Sequence, residues 1–165
     1  MTTRGRLNQL LKSIYVAPRL VTGPLGPKLD IPLADNDLVR RWITFFKGVG
    51  AKYYSKWVGR YWRYGPVMRQ ILESEGVPSD TVFLSMIESG FSPKAYSFAH
   101  AAGPWQFIRS TGTRMGLRVD FWVDERRDPI KSTYAAAQYL RELFRTWNDW
   151  HLAWASYNAG PGKVN

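Results

Sequence analysis

Met86-Ile87-Glu88-Ser89-Gly90-Phe91-Ser92-Pro93 places one carboxylate at the end of an apolar helical run, just before a glycine and a proline that stop it. Upstream, Ser79-Asp80-Thr81-Val82-Phe83-Leu84-Ser85 reads as the start of that helix, with Ser79 as its cap. Leu84, Ile87, Glu88 and Phe91 follow the spacing i, i+3, i+4, i+7, so Glu88 occupies a stripe that apolar residues otherwise fill. Half-burial among Leu84, Ile87 and Phe91 disfavours the ionised form, and the negative end of the helix dipole acts in the same direction. Both effects raise the pKa. A carboxyl still protonated near neutral pH is able to hand its proton to a leaving oxygen, as a general acid does. The plain structural alternative is a glutamate that reaches into water from a helix end.

The surrounding chain reads as mostly helical, with no convincing strand, repeat or low-complexity segment. On the C-terminal side, Gly103-Pro104 is expected to start a helix through Trp105-Gln106-Phe107-Ile108, which puts the polar Gln106 among large apolar neighbours. Asp128-Pro129 opens what reads as the longest helix, whose Ala135-Ala136-Ala137 run permits close packing. Asp149 caps the last helix, in which Tyr157-Asn158 stands just before a Gly-Pro-Gly stop. On the N-terminal side, Gly65-Pro66 is expected to begin a helix that Gly76 ends. Asp35 or Asn36 caps another that carries Leu38, Trp42, Phe45, Phe46 and Val49. Between these two lies a stretch crowded with aromatic and basic residues, whose rings are read as core. Residues 1–34 read as a lead-in, with an amphipathic helix (Leu7, Leu10, Leu11, Ile14, Tyr15) and then a Pro/Gly-rich stretch. Residues 35–165 form the domain.

Composition sets the limits. With 165 residues, 45% of them hydrophobic, the chain can bury one good core. The absence of cysteine removes disulfides, thiolate nucleophiles and Cys-type zinc sites, and two histidines are too few for a histidine-rich metal centre, so neither metal nor cofactor is expected. The amino-terminal stretch interleaves charge with its leucines and lacks the continuous apolar centre of a signal peptide. The net charge of +10 is carried entirely by residues 1–70, which hold thirteen Lys/Arg against three acids. A basic front suits an anionic envelope surface; nucleic acid is not expected, because the charge around the motif is balanced.

Three separated blocks resemble the lytic transglycosylases of the soluble-lytic-transglycosylase, goose-lysozyme-like class, above all the membrane-bound D type. The pattern E-S-G-F-x-P-x-A-x-S-x-A stands as Glu88 to Ala99, and G-x-W-Q-F as Gly103 to Phe107. A-x-Y-N-A-G-x-G stands as Ala155 to Gly162. The resemblance covers about residues 30 to 165 and implies a mostly α, lysozyme-like domain with a cleft. It implies Glu88 as the catalytic acid/base, Ser97 and Gln106 lining the sugar cleft, and Tyr157 with Asn158 close to the carboxylate.

By the same resemblance the substrate is the peptidoglycan glycan strand, cleaved at the β-1,4 bond between N-acetylmuramic acid and N-acetylglucosamine to leave a 1,6-anhydro end, by a monomer in the periplasm or cell envelope. Hydrolysis of a glycoside ordinarily needs two carboxylates. The resembling blocks supply one, which suffices if the sugar's own 6-hydroxyl replaces water. A goose-type hydrolase using the same Glu88, or an inactive glycan-binding domain, are the alternatives, and product analysis separates them. The acidic run Asp124 to Asp128 reads as local ion pairs and a helix cap rather than a second catalytic group. Ser97 lacks an Asp-His-Ser arrangement and reads as a hydrogen-bonding residue, and Trp105 and Trp154 read as core. The sequence departs from the pattern at His100, where a glycine is usual, and at Pro104, where a leucine is usual. Family chains also continue beyond the last block, whereas this one stops at Asn165, which points to a fragment without the C-terminal wall of the cleft.

Overall fold

The computed structural model describes Asp30 and residues 35–163. Six α-helices run in chain order: α1 (Asp37–Lys47), α2 (Ala51–Ser74), α3 (Val82–Ser89), α4 (Arg109–Arg114), α5 (Pro129–Trp147) and α6 (Trp150–Ala159). Short 3-10 turns occur at Ser79–Thr81, Glu125–Arg127 and Pro161–Lys163. Among the described residues the extended pairing amounts to isolated bridges, Tyr96 with Ala102, Ala102 with Phe107 and Val119 with Asp124. The fold is mostly α. The predicted amphipathic helix of residues 7–15 and the Pro/Gly-rich stretch lie outside the described residues, apart from Asp30. The Asp30 carboxylate accepts from the backbone N–H and the hydroxyl of Ser79, at 2.8 and 2.6 Å.

Local signals place most helix ends. Asn36, not Asp35, caps α1 by accepting from Val39 N–H at 3.1 Å, while Asp35 pairs with Arg40. Asp128 accepts from the N–H groups of Ile130 and Lys131 ahead of Pro129, and Asp149 accepts from Leu152 N–H. The Asp124–Asp128 run does form local ion pairs, Asp124 with Arg126 and Glu125 with Lys131. Gly76 turns the chain after α2 at φ 71°.

Tertiary packing overrides four expectations. Gly65-Pro66 does not start a helix; both lie inside α2, which at 24 residues exceeds the 19 of α5 as the longest. Pro66 is exposed, and its ring removes one hydrogen bond from the helix ladder. Gly65 lets the Tyr61 ring lie against the helix, since a Cβ there would come within 2.3 Å of it. Ser79 is not a helix cap: it sits in a 3-10 turn, its hydroxyl engaged with Asp30 and Arg69. Trp105 to Ile108 are not helical, because Gly103 and Gln106 adopt left-handed backbone (φ 80° and 50°), and α4 begins only at Arg109.

The core gathers Met68 and Leu72 of α2, Val82 and Leu84 of α3, Phe91, Trp105, Phe107, Leu117, and the Ala135–Ala137 run with Leu140 of α5. Here the small alanines let α5 lie between α2 and α6. Trp105 is fully buried and Trp154 packs partly buried against this core. The rings of the basic front do not follow the core reading. Trp42, Tyr53, Tyr54 and Trp62 are exposed, because α1 buries none of its residues and, among the described elements, packs mainly on α2.

Candidate active site

Glu88 lies in the last turn of α3, and its neighbours are tied down. Ser85 and Ser89, one helical turn apart, both donate to the carbonyl oxygen of Pro104, at 2.9 and 2.8 Å. Ser89 Oγ also accepts from Ser92 N–H at 3.0 Å. The chain then leaves the helix through two successive left-handed residues, Gly90 (φ 60°) and Phe91 (φ 59°). A Cβ on Gly90 would come within 2.1 Å of the Trp57 ring, so only glycine fits. At Phe91 the strained backbone, worth about 1–3 kcal/mol, is offset by complete burial of the ring in the core. Ile87 departs from the predicted stripe: it is 71% exposed, so the apolar wall beside Glu88 comes from elsewhere.

That wall belongs to a cleft of about 400 Å³ lined by Glu88, Gln106, Phe107, Ile108, Thr111, Tyr139, Tyr157, Asn158, Ala159 and Gly160. Glu88 is the only acidic side chain in this lining. Burial pushes its carboxyl above the ordinary glutamate range, and neither an ion pair nor a hydrogen bond pulls it back. Tyr157 stands across the same space. It keeps some surface exposed, yet desolvation, reinforced by the nearby Glu88 and Tyr139, holds its phenol protonated well above the ordinary tyrosine value. It is therefore a hydrogen-bond donor throughout the working pH range, and its hydroxyl donates to Trp105 O at 2.7 Å.

The turn that carries Gln106 is built from beneath. Arg126 is buried, donating through Nη1 to the carbonyls of His100 and Phe107 (both 2.9 Å) and through Nε and Nη2 to Asp124 (both 2.8 Å). These charged hydrogen bonds hold the Asp124 carboxyl below its usual range. Gly103 rests on the Arg126 backbone so closely that a Cβ would lie 1.8 Å from the Arg126 carbonyl oxygen. Gln106 Nε2 donates to Gly103 O at 2.9 Å, leaving its amide oxygen and second N–H for the cleft. Trp105 locks the turn onto α5 by donating to Thr133 Oγ1 at 2.8 Å.

Of the five residues singled out from the sequence, the fold brings Glu88, Gln106, Tyr157 and Asn158 into one cleft. Ser97 stands outside that lining, its hydroxyl accepting from Ala101 N–H at 3.1 Å to close a turn. Thr111 and Tyr139 line the cleft without having been picked out from the sequence. Tyr139 carried a signal, lying three and four residues beyond Ala136 and Ala135 on the buried face of α5. The two unusual positions fit locally: His100 takes φ 58°, a conformation glycine adopts freely, and Pro104 buries its ring while its carbonyl accepts from Ser85 and Ser89.

A half-buried acid in a cleft with amide and phenol groups, at the end of a short helix in a mostly helical domain, defines a lysozyme-like site. Residues 67–165 match the Transglycosylase SLT domain, and the chain belongs to that family. It is 41% identical over 105 residues to "Membrane-bound lytic murein transglycosylase D" of Escherichia coli (strain K12), an alignment that covers 63% of this chain and 22% of the relative. A protein from Alteromonas sp. (strain M-1), named for tributyltin chloride resistance, is 34% identical over 94 residues, covering 56% of this chain and 45% of its own length. The match thus spans about a fifth of the Escherichia coli relative and under half of the Alteromonas one.

Proposed function

We propose that residues 35–165 are the catalytic domain of a peptidoglycan lytic transglycosylase, acting as a monomer in the cell envelope on the periplasmic side, with residues 1–34 as its lead-in. The observation that carries the reading is the isolation of Glu88: one carboxyl, its pKa raised by burial, in a cleft with no second acid in its lining. Membership of the SLT family and the name of the Escherichia coli relative support the same reaction.

In this mechanism Glu88 first donates its proton to the oxygen of the β-1,4 bond between N-acetylmuramic acid and N-acetylglucosamine, which leaves as the 4-hydroxyl of the latter. The N-acetyl carbonyl of the muramic sugar stabilises the positive charge that develops at the anomeric carbon. Glu88, now a carboxylate, takes the proton from the 6-hydroxyl of the same sugar as that oxygen bonds to the anomeric carbon. The product is a 1,6-anhydro ring, no water is consumed, and Glu88 is again protonated. A tethered hydroxyl acts at high effective concentration, which is why one carboxyl is enough. Gln106 and Asn158 orient the sugars by their amides, Tyr157 fixes the wall beside Glu88, and Ser97 contacts the glycan from the adjoining loop.

Mass spectrometry of sacculi digested by the wild type and by Glu88→Gln tests the proposal. Anhydro-ended muropeptides from the wild type alone are expected. Reducing ends instead would make the chain a goose-type hydrolase, and no cleavage by the wild type would make it a glycan-binding domain.

A further inference from the structure

The helix α1 buries none of its residues, yet it is two-sided. Val39, Trp42, Ile43 and Phe46 face a groove of about 860 Å³ that Trp57 of α2 and Ile87 of α3 help to close. On its other side Arg40, Arg41, Asp37 and Thr44 line a separate polar hollow. Val49, just after α1, and Trp62 of α2 stand 81% and 70% exposed outside the groove lining. An exposed apolar groove of this size marks a binding surface. It shares no lining residue with the Glu88 cleft, and α1 lies outside the residues that match the SLT family.

Charge narrows the occupant. Residues 35–70 hold eight Lys/Arg against Asp35 and Asp37. Arg40 pairs with Asp35 and Arg69 with Asp80, and Arg60 donates to the Gly90 carbonyl. Among the described residues Arg41, Lys47, Lys52, Lys56 and Arg63 have no carboxylate partner. The only acid before residue 35 is Asp30, already engaged by Ser79. The chain's own segment 4–15 carries Arg4, Arg6 and Lys12 and no acid, so like charge opposes its seating beside Lys47.

We propose that the α1–α2 face docks on an anionic lipid surface, with Trp42, Ile43 and Val49 at the acyl boundary and Lys47 and Lys52 among the headgroups. A basic helix with tryptophan and phenylalanine on its apolar face lies in the plane of a bilayer interface, and tryptophan and tyrosine rings favour that depth. The protruding rings favour this over a peptide, which would fill the recess and leave Val49 and Trp62 in water. Ile87 and Glu88 are consecutive on α3, roughly 100° apart around its axis. The cleft therefore opens to the side of a bilayer seated on the groove.

Co-sedimentation and tryptophan emission of the full chain, with vesicles of phosphatidylcholine alone or mixed about three to one with phosphatidylglycerol, test this. Binding to the anionic vesicles at least about tenfold tighter than to the neutral ones is expected, with a blue-shifted emission and weakening in salt. Trp42→Ser and Lys47→Glu, each with an unchanged circular dichroism spectrum, are expected to weaken it about fivefold or more, and Arg145→Glu on the exposed face of α5 by less than about twofold. Equal binding to both vesicles, or equal losses from Lys47→Glu and Arg145→Glu, would overturn the proposal. So would self-association without lipid that Trp42→Ser abolishes, which assigns the face to a second copy. Tighter binding of a designed acidic amphipathic peptide than of the anionic vesicles would also overturn it, assigning the face to a protein partner.

Discussion

The phenolic hydroxyl of Tyr157 donates to the carbonyl oxygen of Trp105 at 2.7 Å, joining the last helix to the turn that presents Gln106. Two family blocks far apart in the chain thereby become one wall of the cleft. Tyr157→Phe removes the donor and leaves a buried carbonyl unpaired, at a cost of about 1–3 kcal/mol. A lower melting temperature together with slower release of anhydromuropeptides is expected. A melting curve that matches the wild type's would show that the bond does not hold the wall.

The Pro104 carbonyl receives two hydroxyls, from Ser85 and Ser89. Either donor alone satisfies it. Ser85→Ala and Ser89→Ala should each cost on the order of 0.5–1 kcal/mol, whereas the double variant, which orphans the carbonyl, should cost about 1 kcal/mol more than their sum. Urea denaturation of the four proteins closes the cycle, and simple additivity would count against a shared acceptor.

Gly103 combines φ 80° with a Cβ position 1.8 Å from the Arg126 carbonyl oxygen. Gly103→Ala must move backbone against backbone, and destabilisation above about 4 kcal/mol is expected, enough to deplete soluble protein. Gly116→Ala, at φ 85° but with open space around it, separates strain from collision and should cost about 1–2 kcal/mol. Thermal melts of the two variants should therefore differ widely.

Burial raises the Glu88 pKa in the folded chain above its unfolded value. The folded state then holds the proton more tightly, so the stability from this group is complete below the ordinary glutamate range and is lost as pH rises through the folded value. Glu88→Gln never ionises. It is expected to melt higher than the wild type above that window, with the advantage shrinking as pH falls through the folded value and reaching its minimum below the ordinary glutamate range. An advantage that does not vary with pH would place the carboxyl in water.

The same shift governs turnover. In the proposed mechanism the first step needs Glu88 protonated, so the alkaline limb of kcat/KM on sacculi should fall with an apparent pKa above the ordinary glutamate range. No ion pair depresses this carboxyl, so added salt should leave the limb in place after substrate binding is allowed for. A limb within the ordinary range would show that the cleft does not desolvate the acid.

Much of this architecture is legible locally. Asn36, Asp128 and Asp149 cap helices because a short side-chain oxygen meets N–H groups two or three residues on, and Gly90 ends α3 because it accepts φ 60°. Glu88 is legible as an acid at the end of an apolar helix, and its raised pKa follows from that position. Less legible is what desolvates it. The apolar stripe nominates Ile87, but Ile87 turns outward and the wall comes from Tyr139, Tyr157 and Phe107, tens of residues further along the chain. Likewise Gly65-Pro66 carries the chemistry of a helix start, and packing of the flanking turns carries α2 straight through it.

The amino-acid order by itself determined the helical class, most of the caps and the place of a carboxyl at the end of an apolar helix, since each depends on residues within one or two turns of one another. Only the tertiary structure decided which rings enclose Glu88, that Ser97 closes a turn outside the cleft lining, and that the aromatic face of α1 stays exposed among the described residues. Those outcomes depend on which distant surfaces meet. Burial is a property of contacts between segments, and no local spacing encodes the partner on the other side.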